Sequence, residues 1–177
     1  AESASYDWQH VRVGGGGFTP GIIFSPIEKG LAYLRSDMGG AYRWDAKAER
    51  WVQLLDGVSE GSFMGIESVA ADPVDAGTVY LAAGMHKGGA AAIFRSRDYG
   101  ANWARSDVPF AMGGNEDGRG LGERLAIDPS DNQRLFFGSR HQGLWQSEDA
   151  GANWRKVDAF PLEGLGIPEG RRATHGG

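Results

Sequence analysis

The sequence predicts an all-β protein built from four-stranded blades of a β-propeller, and three observations lead to this prediction. Segments that begin at Pro26, Pro73 and Pro129 align with one another without an insertion. A second pattern, Ser-x-Asp-x-Gly-x-x-Trp, ends at Trp103 and again at Trp154, about fifty residues later. The 29 glycines favour short strands and tight turns over helices. A tandem repeat of about fifty residues, with an aromatic residue and a turn at fixed places, is typical of propeller blades.

Each repeat divides into four short apolar strands separated by turn residues. The predicted blades are 18–56, 64–107 and 122–158, and 159–177 is expected to form a loop towards a next blade. The predicted strands are 21–24, 31–35, 40–44, 50–55, 67–71, 78–82, 91–95, 103–106, 124–127, 134–138, 143–146 and 154–157. Residues 11–13 are also expected to form a strand ahead of the first blade. Three blades are fewer than the four to eight that close a propeller, so further blades are expected outside this chain.

The Ser-x-Asp-x-Gly-x-x-Trp pattern is the Asp-box (BNR-like) pattern, and its role in a hairpin is structural. Asp98 and Asp149 are predicted to cap backbone amides of their turns rather than to act in catalysis. The first repeat carries a degenerate version, in which Ala46 and Ala48 replace the Asp and the Gly. The recurring tryptophans are expected to belong to the core rather than to form sugar platforms; they are Trp44, Trp51, Trp103 and Trp154.

Composition excludes several functions. The net charge of −5 without a basic cluster disfavours nucleic acid and anionic membranes as partners, and no apolar run is long enough to span a bilayer. The absence of cysteine removes disulfides, thiolate catalysis and zinc–thiolate sites. The four histidines lack metal-ligand spacing, so neither a metal nor another cofactor is expected. The first residues resemble those that follow a signal-peptidase cut, which favours a secreted, extracellular or periplasmic protein.

Asp37 is the carboxylate that the repeat does not explain. In the aligned repeats it stands opposite Gly84 and Arg140, so folding alone does not require an acid there. One interpretation is a turn-forming aspartate before two glycines, and the other is a catalytic carboxylate. In an up-and-down meander, Asp37 shares one face with the links between blades, while the Asp-box turns lie on the opposite face. We expect its side chain at the solvent-facing mouth of a groove.

The long link 110–122 lies on the face predicted for Asp37. It is polar and rich in glycine, and long loops in compact domains are often functional. Asn115, Asp117 and Arg119 are therefore candidates for hydrogen bonds to a polar ligand such as a sugar. The alternative interpretation is a solvated connector.

Several stretches resemble glycoside hydrolase family 74 (GH74) xyloglucanases over nearly all of residues 6–160. The specific ones are SDMGGAYRWD and GGNEDGRGLGERLAIDP, with FRSRDYGANW less specific. The resemblance implies two tandem seven-bladed propellers, of which this chain holds three blades. It also implies an inverting endo-β-1,4-glucanase that cuts xyloglucan or a related β-glucan in the cleft between them.

For Asp37, the resemblance implies the role of general base, with the general acid in a second propeller outside this chain. Inversion needs two carboxyl groups about 6.5–9.5 Å apart, and only one of them is in this chain. The remainder of the same enzyme is therefore an implied partner. Two alternatives remain open. One is a non-catalytic carbohydrate-binding or interaction propeller; the other is a sialidase-type enzyme, whose arginine cluster would have to come from Arg119, Arg124 and Arg140.

Overall fold

The computed structural model describes residues 10–161 as three antiparallel sheets, each of four strands in chain order. The first sheet contains β1 (Gly21–Phe24), β2 (Ala32–Arg35), β3 (Ala41–Asp45) and β4 (Arg50–Gln53). The second contains β5 (Ile66–Ala71), β6 (Val79–Ala83), β7 (Ala92–Ser96) and β8 (Ala104–Asp107). The third contains β9 (Leu125–Asp128), β10 (Asp131–Gly138), β11 (Leu144–Ser147) and β12 (Arg155–Lys156).

The predicted meanders are confirmed, with small shifts at the strand ends. The largest shift is in β10, which begins at 131 rather than 134. The strand predicted at 11–13 is wrong, because these residues pair with no strand. A short 3-10 helix, Gly61–Met64, precedes β5. The loop predicted at 159–177 lies outside the described residues from 162 onwards. Nothing helical within 10–161 is long and apolar enough to cross a membrane.

The sheets stack face to face, so that both faces of β5, β6 and β7 in the middle sheet are mostly buried, while the last strand, β8, is mostly exposed. One core cluster lies between the first and second sheets and includes Tyr33, Val69 and Leu81. A second cluster lies between the second and third sheets and includes Tyr80 and Phe137. Successive side chains of a strand point to opposite faces, which is why Tyr80 and Leu81 belong to different clusters. Each fully buried side chain of this size contributes about 1.5–3 kcal/mol, so neighbouring blades stabilise one another.

The first sheet has one face that no other sheet within residues 10–161 covers. Ile22 pairs with Leu34 in the register in which Val69 pairs with Leu81 one blade later. Ile22 is 49% exposed and Val69 only 2%, because none of the described sheets packs against this face of the first sheet. A groove of about 500 Å³ runs along this face and is lined partly by Trp44 and Trp51. Trp103 and Trp154 pack against the buried clusters, as predicted. The prediction of a core position for Trp44 and Trp51 stays a prediction, because no described sheet packs against their face.

The turn that connects β7 to β8 is closed by Asp98. Its carboxylate accepts the backbone N–H of Asn102 at 2.8 Å and the side-chain amide of Asn102 at 2.7 Å. The Ser96 hydroxyl donates to the same carboxylate at 2.8 Å. These bonds, with the side-chain amide of Asn102 first, lower the pKa of Asp98 to about 2. Asp149 makes the equivalent bonds one blade later, so both aspartates form turns as predicted.

Asp98→Asn is expected to destabilise the protein in a pH-dependent way. Because the pKa of Asp98 in the folded protein is lowered to about 2, its contribution is complete above its ordinary value of 3.8 and is lost as the pH falls towards 2. The difference in unfolding midpoint between wild type and variant should therefore be constant above about pH 5 and shrink below about pH 4. Thermal unfolding followed by circular dichroism measures it.

The matched control is Asp107→Asn, which removes only an exposed pair with Arg105 in the same blade. Exposed pairs of this kind contribute little, so this variant should unfold close to wild type at every pH. A midpoint difference for Asp98→Asn that persists unchanged down to pH 2 would show that the ionised carboxylate is not what holds the turn.

Candidate active site

The turn after β2 is anchored to the link that enters the second blade. The N–H of Gly40 donates to the carbonyl of Met64 at 2.7 Å, and the N–H of Ile66 donates to the carbonyl of Ser36 at 3.0 Å. The two segments pass so close to each other that a Cβ on Gly65 would lie 2.9 Å from the carbonyl oxygen of Asp37. The turn that carries Asp37 is therefore fixed by backbone contacts with its neighbour.

The link 110–122 is anchored in the same way to the turn after β6. The N–H of Gly114 donates to the carbonyl of Gly84 at 2.8 Å, and the N–H of Asn115 donates to the carbonyl of Met85 at 3.0 Å. These contacts bring the link to the same face as the turn after β2. The predicted common face is confirmed, and the link is attached to the blades rather than a free connector.

Asp37 is buried where β2 ends. Its side chain is only 6% exposed. One carboxylate oxygen, Oδ1, accepts the N–H of Phe18 at 2.8 Å, and the other, Oδ2, lies 3.1 Å from Nε of Arg119. The Nε hydrogen does not point at Oδ2 well enough for a hydrogen bond, so the contact is an ion pair. The expectation that Asp37 faces solvent is wrong, because Phe18 in the segment before β1 and the side chain of Arg119 cover it.

The turn itself does not need the carboxylate of Asp37. The N–H of Gly39 donates to the hydroxyl of Ser36 at 3.0 Å, and that hydroxyl donates to the carbonyl of Gly16, also at 3.0 Å. Both groups that contact the Asp37 carboxylate come from elsewhere in the chain, from Phe18 and Arg119. The interpretation of Asp37 as a turn former is therefore not supported.

The three candidate binding residues of the link lie in different surroundings. Arg119 contacts Asp37, its side chain is 31% exposed, and its guanidinium lies 5.5 Å from the ring centre of Phe18. Asp117 is exposed, and its carbonyl accepts a hydrogen bond from Nη1 of Arg140. Asn115 is half-buried. Only Arg119 of the three contacts Asp37 within the described part of the chain.

A buried charge cluster beneath this face was not predicted from the sequence. Glu67, with a side chain 1% exposed, accepts the N–H of Gly113 at 2.8 Å and contacts Arg140 at 2.9 Å and Arg124 at 2.5 Å. Burial lowers the pKa of Arg124, and the charge of Glu67 acts in the opposite direction. A signal was present, because Glu67 and Glu123 occupy the same position of the repeat, at the start of the stretches ESVAADP and ERLAIDP.

Metal ligation finds no support between residues 10 and 161, where no three His, Asp or Glu side chains form a group that could hold an ion. His86 and His141 are both exposed in the turns after β6 and β10.

No family model matches the chain, but individual proteins match it closely. The xyloglucanase Xgh74A of Acetivibrio thermocellus is 51% identical over 173 residues, which is 93% of this chain and 20% of that protein. The structure of the GH74 xyloglucanase of Xanthomonas campestris has 51% identity and a TM-score of 0.80, over 89% of this chain and 23% of that one. The three blades belong to glycoside hydrolase family 74. A GH74 enzyme of Niastella koreensis superimposes equally well, with a TM-score of 0.81 at 41% identity over 88% of this chain and 23% of that one. These GH74 blades thus span about a fifth of the length of the relatives that they match.

Proposed function

We propose that these blades are part of an inverting endo-β-1,4-glucanase that hydrolyses xyloglucan, with Asp37 as the general base. The observation that carries this proposal is that the Asp37 carboxylate is held by distant groups while Ser36 closes the turn. A buried carboxylate that the local fold does not use is a candidate for chemistry. The names of the relatives, which are xyloglucanases, support the substrate.

In an inverting mechanism, the base removes a proton from a water molecule as its oxygen attacks the anomeric carbon. The general acid protonates the leaving oxygen on the opposite side of the sugar, about 6.5–9.5 Å from the base. Each oxygen of Asp37 has one protein partner, whereas a carboxylate has about four acceptor positions, so acceptor positions remain for the hydrogen of a water molecule. Arg119 compensates the negative charge of the buried carboxylate. The acid is proposed to lie in a second propeller of the same protein.

Asn115, Asp117 and Arg119 are proposed to bind hydroxyl groups of the glucan. The attachment of their link to the Asp37 face supports this role, as do the exposure of Asp117 and the partial exposure of Arg119. A polysaccharide is too large to cross a membrane unaided, and we therefore also propose that the enzyme is secreted.

A non-catalytic carbohydrate-binding propeller is the second candidate, and the low exposure of Asp37 favours it. A sialidase-type site is less well supported. Arg124 and Arg140 contact the buried Glu67, and Arg119 contacts Asp37, so none of the three forms an open cluster for a substrate carboxylate.

The experiment that tests the proposal uses the full-length protein and soluble xyloglucan. An endo-acting enzyme should lower the viscosity of the solution early, when few reducing ends have formed. Proton NMR recorded within the first minutes should show α-configured new reducing ends, because inversion of a β-linkage gives that anomer. Binding without new reducing ends would favour the non-catalytic propeller, and β-configured products would exclude an inverting enzyme.

A further inference from the structure

The main chain and the side chain of Arg119 are each contacted by a residue near the end of β2. Asp37 contacts the side chain, with 3.1 Å between Oδ2 and Nε. Arg35 contacts the main chain, with its Nη2 donating to the carbonyl of Arg119 at 3.1 Å. Arg35 therefore fixes the main chain of Arg119, and Asp37 contacts its guanidinium.

The guanidinium of Arg35 is itself fixed in one orientation. It is 1% exposed at the end of β2, and it reaches past the second blade to the start of the third. Its Nε donates to Oε1 of Glu123 at 2.6 Å, and its Nη2 also donates to the carbonyl of Gly122 at 3.2 Å. The fork of arginine donors matches these acceptors in a way that a lysine would not.

Glu123 is fixed in turn by the second blade. Its other oxygen, Oε2, accepts the hydroxyl of Ser68 at 2.8 Å and the N–H of Val69 at 2.7 Å. All three blades therefore contribute to the position of the chain just after Arg119. That chain needs such support, because Gly118 and Gly122 flank Arg119 closely and both have positive φ, which only glycine adopts readily.

We infer that Arg35 is a positioning residue for the general base, acting through Arg119; this inference rests on the proposed role of Asp37. Arg35 anchors the main chain at Arg119, Arg119 contacts Oδ2 of Asp37, and the carboxylate is thereby oriented towards the attacking water. Without the anchor, Arg119 keeps only its bonds to the carbonyl of Glu116 in the same link, and its contact with Asp37 loosens. Asp37 then keeps its bond from Phe18. Misplacement of a reacting group by about 1 Å costs up to about a hundredfold in rate.

The test measures kcat and KM on xyloglucan for Arg35→Met, Arg119→Met and the double variant of the full-length protein. Arg35→Met should lower kcat by about tenfold to a hundredfold. KM should rise by a smaller factor than kcat falls, because Arg119 is also proposed to bind the glucan. The double variant should have the kcat of Arg119→Met alone, because Arg35 acts through Arg119. The matched control is Arg43→Met, which also loses a bond to a carbonyl of the next blade, that of Tyr99 at 3.1 Å, and should keep the wild-type kcat.

Three results would overturn the inference: a wild-type kcat for folded Arg35→Met, an equal loss in Arg43→Met, or losses at Arg35 and Arg119 that multiply in the double variant. If Arg35→Met does not fold, Arg35→Lys replaces it, because lysine keeps the charge but loses the fork. Its kcat should fall, and a wild-type kcat overturns the inference equally. Asp37→Ala measured beside these variants separates the two proposals. An active Asp37→Ala would contradict Asp37 as the general base. An inactive Asp37→Ala together with a fully active Arg35→Met would contradict only the positioning role of Arg35.

Discussion

Asp37→Ala in the full-length protein is expected to lower kcat on xyloglucan by about 10²–10⁴-fold, the range that a positioned general base contributes. The alanine removes the group that accepts the proton of the attacking water. Arg119 loses its ion pair with Asp37, but the link that carries the binding residues keeps its backbone bonds to the turn after β6. Affinity for xyloglucan, measured by calorimetry, should stay within about threefold of wild type. Initial rates of reducing-end release give kcat.

The control for Asp37→Ala is Asp56→Ala, which removes an exposed acid from the link that follows β4. It should keep the wild-type rate. A folded Asp37→Ala that hydrolyses xyloglucan at the wild-type rate would show that the base lies elsewhere or that water is activated in another way. A variant that loses affinity as strongly as rate would assign Asp37 to binding instead.

Glu67→Ala is expected to destabilise the protein more than the loss of any exposed charged side chain. It would leave Arg124 and Arg140 buried next to each other without the carboxylate that both contact. Loss of one partner from a buried ionic cluster typically costs about 3–5 kcal/mol. The free energy of unfolding of the propeller that contains these blades should fall by that amount in urea titrations.

The control for Glu67→Ala is Glu148→Ala, whose side chain is 57% exposed and pairs with the exposed Arg155. Its loss should be clearly smaller. Replacing Glu67, Arg124 and Arg140 together by methionine should recover much of the stability lost in Glu67→Ala, because no buried charge then lacks a partner. A loss below about 1 kcal/mol in Glu67→Ala would mean that solvent or other groups satisfy the two arginines, and that the cluster adds little to the free energy of unfolding.

The strand order followed from the sequence because the repeat makes each blade a local unit. Strands of a meander pair with their neighbours in the chain, so turn residues and alternation suffice to place them. The segment 11–13 has the composition of a strand but no partner strand, which is why its prediction failed.

The candidate site was predictable only in part. Asp37 stood out because it departs from the repeat, and the common face of the link followed from the meander. Its burial did not follow, because Phe18 and Arg119 reach it from distant parts of the chain. The contact between Arg35 and Glu123 joins the first blade to the third, a pairing that no local pattern encodes. The recurrence of glutamate at one position of the repeat, as Glu67 and Glu123, was the available signal.

The most direct measurement of the role of Asp37 uses Asp37→Ala with sodium azide as a substitute for the activated water. Azide needs no base, so it can attack the anomeric carbon from the side that the carboxylate served. The carbon–nitrogen bond forms as the glycosidic carbon–oxygen bond breaks and the general acid protonates the leaving oxygen. The predicted result is an α-glycosyl azide at the new chain end, at a rate that rises with azide concentration. A β-glycosyl azide, or no adduct in a folded variant that still binds xyloglucan, would contradict Asp37 as the general base.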